Sequence, residues 1–71
     1  MKLHYYPDTD SLYIDLKDKA SVESREVISG VVADFDEQGN LVGLDIDRAS
    51  EKLDLTSLET ESLPTGKLKI A

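Results

Sequence analysis

Val31-Val32-Ala33-Asp34-Phe35-Asp36-Glu37-Gln38-Gly39-Asn40-Leu41-Val42-Gly43-Leu44-Asp45-Ile46-Asp47 contains two runs in which apolar residues recur at every second position, with a polar, glycine-bearing segment between them. Side chains alternate across a strand and cross-strand partners share a face, so the stretch reads as a β-hairpin. A four-residue loop, Glu37 to Asn40, sets Asp36 opposite Leu41, Phe35 opposite Val42, Ala33 opposite Leu44 and Val31 opposite Ile46. Val31, Ala33, Phe35, Val42, Leu44 and Ile46 then line one face. Asp34, Asp36, Asp45 and Asp47 point the other way with Val32, Leu41 and Gly43. A three-residue loop closed by a glycine bulge would slip the strands by one residue and mix the two faces, so the four-residue loop is expected. Gly39 suits the positive-φ position of such a loop.

The chain has 71 residues and no cysteine, which predicts a single domain with one small core and neither disulfides nor thiolate metal sites to support it. At this size self-association is a natural source of further stability. The longest aliphatic run, Val31 to Ala33, is far too short for a membrane-spanning helix or the apolar part of a signal peptide, and a cytoplasmic protein with no membrane partner is expected. Eight basic residues stand against fifteen acidic ones, a net charge of -7. That is the wrong sign for gripping a polyanion, so nucleic acid is not an expected partner, whereas a basic protein is.

Lys2 to Tyr6 and Ser11 to Leu16 alternate around Pro7-Asp8-Thr9-Asp10 and form a second predicted hairpin, with Tyr5 opposite Leu12, Leu3 opposite Ile14, His4 opposite Tyr13 and Lys2 opposite Asp15. Val22 to Ile28 predicts a further short strand whose charges, Glu23, Arg25 and Glu26, suit a sheet edge. The fold class is therefore α+β: an antiparallel meander of four to five strands over residues 1–47, with a C-terminal helical cover over 48–64 and a tail over 65–71. Arg48 to Leu53 has helix-forming residues. Thr56-Ser57-Leu58-Glu59 fits a capping box for a second helical segment that Pro64 would end by Leu63. Leu53, Leu55, Leu58 and Leu63 are its expected sheet-facing residues. Thr65 to Ala71 alternates like a strand that frays or adds to a sheet edge.

The runs Tyr6-Pro7-Asp8-Thr9-Asp10-Ser11-Leu12-Tyr13-Ile14, Gly30 to Ile46 and Ala49-Ser50, in that order, resemble the short prokaryotic proteins grouped as domain of unknown function 2283. The resemblance covers roughly Leu3 to Leu53. It implies a compact β-rich domain and no particular activity, with Asp45 standing where the family more often has glutamate. Genes of such proteins near candidate toxin genes imply an antitoxin-like binding role.

Few residues point to chemistry. Asp34-x-Asp36-x-Gln38-Gly39 followed by Asp45 nearly reproduces a calcium-binding loop, and ion binding by the Asp34–Asp45 loop is the alternative function. Its strand-like flanks and an aspartate in the last ligand place argue for a solvated turn. The carboxylates lack the cleft that paired acid–base catalysis needs, and His4 has neither a second histidine nor a cysteine beside it, so no catalytic residue and no cofactor is expected. His4, Tyr6 and Tyr13 form an aromatic patch outside the main core, and with Asp34, Asp36, Asp45 and Asp47 they are the candidate interface residues. The expected function is that of an acidic, non-catalytic protein-interaction module, antitoxin-like or homodimeric.

Overall fold

The computed structural model describes residues 1–70; the end of the expected tail, Ala71, lies outside the described residues. Five strands, β1 (Lys2–Tyr6), β2 (Ser11–Asp15), β3 (Glu23–Ile28), β4 (Val31–Phe35) and β5 (Leu41–Ile46), precede one short helix, α1 (Ala49–Lys52). They form one antiparallel sheet in the order β1-β2-β5-β4-β3. β3, β4 and β5 run as a meander, and the β1-β2 hairpin docks on it through β2 and β5. The charged strand β3 occupies an edge, as its composition predicts, and there the Arg25 guanidinium lies 4.1 Å from the centre of the Phe35 ring.

Cross-strand register sorts the side chains into rows. Leu3, Ile14, Leu44, Ala33 and Arg25 stand opposite one another across the sheet, and beside them run Tyr5, Leu12, Ile46, Val31 and Ile28. These rows make the apolar face. The other face carries His4, Tyr13, Asp45, Val32 and Glu26, flanked by Lys2, Asp15, Gly43, Asp34 and Ser24. Period-two alternation is enough to produce this separation, because burying one face of the pleat selects one register.

The central hairpin departs from the expected loop. The Asp36 N–H donates to the Asn40 carbonyl (2.9 Å) and the Gly39 N–H to the Asp36 carbonyl (3.0 Å), so the loop has three residues and Gly39 takes a φ of 81°. The expected penalty, mixed faces, is avoided by a second irregularity. Asp34 pairs with Gly43 but Phe35 with Leu41, leaving Val42 as an extra residue that restores the register of the remaining strand. Val42 is buried, at 2 % exposure. Its carbonyl accepts the N–H groups of Leu16 and Lys17 where β2 ends.

The cover is smaller than expected. Ala49 of α1 is fully buried on Leu12 and Ile46, with Ile14 and Val31 packed around them. The second helical segment, and with it most of the helical cover over 48–64, is not formed: no helix or strand follows Lys52 among the described residues. The Thr56 hydroxyl and N–H both donate to Asp54 Oδ1, at 2.6 and 3.0 Å. That local turn holds Thr56 to Asp54 and no helix follows it, since the segment is too short to be helical without extensive contacts. Residues 65–70 form no strand either, and the Thr65 hydroxyl donates to the Lys67 carbonyl (2.7 Å). No helix among the described residues is long and apolar enough to cross a membrane.

Candidate protein-contact face

The polar face is organised around Tyr13. From β2 its ring passes over Gly43 of β5 to reach β4, where the hydroxyl donates to Asp34 Oδ2 at 2.9 Å. A side chain at position 43 would block that path, because a Cβ there would lie 2.7 Å from Tyr13 Cζ. The other oxygen of Asp34 accepts the Ser24 hydroxyl from β3 at 2.6 Å. Four adjacent strands are thus tied by one phenol, one carboxylate, one hydroxyl and the glycine that lets them meet. Burial pushes the Tyr13 phenol up to about 12, helped by its bond to Asp34 and by the charges of Asp34, Asp15 and Asp45. The signal for this arrangement was a glycine inside a strand, which often marks a close approach.

The remaining candidates separate into two groups. His4 and Tyr6 stack on the outer strand with ring centres 4.5 Å apart and planes inclined by 32°, and both are exposed. Asp45 and Asp47 are exposed as well, with the Ser11 hydroxyl 3.5 Å from Asp47 Oδ1. Asp36 does not join them. It is buried, at 6 % exposure, and its Oδ1 accepts the N–H groups of Asn40 (2.9 Å) and Gln38 (3.0 Å). Those donors, Asn40 first, hold its carboxyl below the usual carboxylate range. Asp36 therefore shapes the loop and is not available to a partner.

In the calcium-loop spacing both Asp34 oxygens and Asp36 Oδ1 accept internal donors, and no group of three or more His, Asp or Glu arranged to hold an ion occurs among the described residues.

Asp10, a turn residue with no distinguishing signal in the sequence, has a structural role. Its carboxylate accepts the Ser50 N–H (3.1 Å), the Ser50 hydroxyl (2.6 Å) and the Tyr5 hydroxyl (2.8 Å), and its carbonyl accepts the Ala49 N–H (2.8 Å). Arg48, which precedes α1, provides no side-chain cap. Asp10 supplies that function from the β1-β2 turn, satisfying two helix-start donors. The Ser50 and Tyr5 hydroxyls lower its pKa, and the same bond raises that of Tyr5. These contacts anchor α1 to the sheet.

This anchor joins two of the motifs read from the sequence, Tyr6 to Ile14 and Ala49-Ser50. No curated protein and no solved structure matches the chain. A family model described as a protein of unknown function, DUF2283, matches residues 2–50, from the first strand through the serine that Asp10 holds, and the chain belongs to that family.

Proposed function

We propose that the protein is a small, non-catalytic interaction module that presents its acidic face to a basic protein, in the manner of an antitoxin. The supporting observation is a row on the polar face in which His4, Asp45 and Glu26 are exposed. Asp45 lies between Tyr13 and Val32, with Glu26 beyond and His4 on the outer strand. Lys2 is the sole Lys or Arg of the two rows that make up this face. Rigid aromatics beside carboxylates suit arginine-bearing surfaces, which stack on rings and bond carboxylates through paired N–H groups.

A titration of the ¹⁵N-labelled chain with an arginine hexapeptide tests this, with a glutamate hexapeptide as control. Amide shifts centred on His4, Tyr6, Asp45 and Asp47 are expected. Binding should weaken about tenfold or more as salt rises from about 50 to about 300 mM, and should be lost in Asp45→Lys/Asp47→Lys. Shifts spread evenly over all acidic segments, or binding that survives the double substitution, would overturn the reading.

A further inference from the structure

We infer that the opposite, apolar face is a self-association surface, on which a second copy of this chain closes an open leucine groove. Leu3, Tyr5 and Ile14 form one wall and Leu53, Leu55 and Leu58 the other, enclosing about 710 Å³. Leu3 is 47 % exposed and Leu58 71 %. Among the described residues Asp54 is the one charged residue lining the groove, in a chain whose charged fraction is 32 %. This contact is separate from the acidic face and does not depend on the basic-partner reading.

The accessible area is enough for a second copy to be the occupant. The accessible surface is 5926 Å², whereas a compact monomer of 7.9 kDa exposes about 4,400 Å² by the usual size scaling. The excess, roughly 1,500 Å², is large enough to supply the ~800 Å² that each partner contributes to a standard interface. The core shows the same shortfall. Its buried apolar residues are Leu12, Ala33, Val42, Ile46 and Ala49, and no large side chain falls below 2 % exposure. A domain this small with so little buried needs more apolar contact, and a two-fold pairing supplies it by applying the same patch twice. The near absence of charge in the groove makes pairing tolerable for a chain of net charge -7. Added salt screens the remaining repulsion between copies, so it should leave self-association unchanged or strengthen it, the reverse of its effect on a basic partner.

Sedimentation of the full chain from about 10 µM to about 1 mM, at low and high salt, tests the inference. The mass should rise from 7.9 kDa toward twice that value. Leu58→Glu and, separately, Leu55→Glu should each weaken association about tenfold or more, with dispersed amide spectra showing that the sheet is kept, while Asp45→Lys on the other face should not weaken it. Isotope-filtered NOEs in a mixed-label sample, between Leu58 methyls of one copy and Leu3 or Tyr5 of the other, check the same contact without any substitution. A monomer at every concentration would assign the groove to the chain's own C-terminal segment or to a different protein and overturn the inference. Association that ignores both leucine substitutions, or that weakens with salt and with Asp45→Lys, would also overturn it.

Discussion

Asp10 and Ser50, 40 positions apart, are joined twice: the Ser50 hydroxyl donates to one oxygen of the Asp10 carboxylate at 2.6 Å and the Ser50 N–H to the other at 3.1 Å. The turn of the first hairpin thereby caps the only helix among the described residues and holds Ala49 down on Leu12 and Ile46. Asp10→Ala should lower the thermal midpoint by roughly 4–8 °C, the usual consequence of losing a helix cap in a domain of this size. Ser50→Ala, which keeps the backbone donor, should cost less. Thermal unfolding followed by circular dichroism checks the order of the two, and equal midpoints for wild type and Asp10→Ala would remove the anchor from the account.

Asp36 makes stability depend on acid. Its folded-state pKa is lowered by the Asn40 and Gln38 N–H groups, so its contribution is present above the ordinary carboxylate pKa and is lost as pH falls through the lower, folded value. The urea midpoint of wild type minus that of Asp36→Asn should be constant from pH 7 to about pH 5 and shrink below about pH 4. Taking the difference cancels most of the general relief of charge repulsion that acid brings to a chain of net charge -7. A difference that grows on acidification would contradict the assignment.

Tyr13 makes the opposite prediction at high pH. Its pKa is raised to about 12, so its contribution is complete below the ordinary tyrosine value and is lost as pH rises through the folded one. An ultraviolet titration should contain a phenolate step near 12 that is absent in Tyr13→Phe.

Gly43→Ala should destabilise the domain by about 1–3 kcal/mol, since the new methyl group overlaps the Tyr13 ring and one of them must move. In Gly43→Ala/Tyr13→Leu the two effects should be less than additive, because the clash is removed along with its partner. Urea unfolding of the four proteins measures the coupling, and strict additivity would show that the ring does not depend on the missing side chain.

Alternation by itself determined both hairpins and the composition of both faces, and the charges of β3 determined its outer place. Pairing between neighbours in a hairpin is a local matter in which each residue has one face to choose. Three features needed the folded chain. The three-residue loop at Gly39 and the extra residue at Val42 offset each other, and neither is visible in an average two-residue period. Asp36 and Asp10 look like ordinary turn aspartates in sequence. Their backbone and side-chain donors, close by for Asp36 and distant for Asp10, decide that one shapes a loop and the other caps a helix. The capping box at Thr56 leads no helix: Asp54, two residues earlier, holds Thr56 in a local turn, and so short a segment needs tertiary packing to become helical. Local pattern selects faces and register; which polar group satisfies which is settled only when tertiary contacts bring the competing donors and acceptors together.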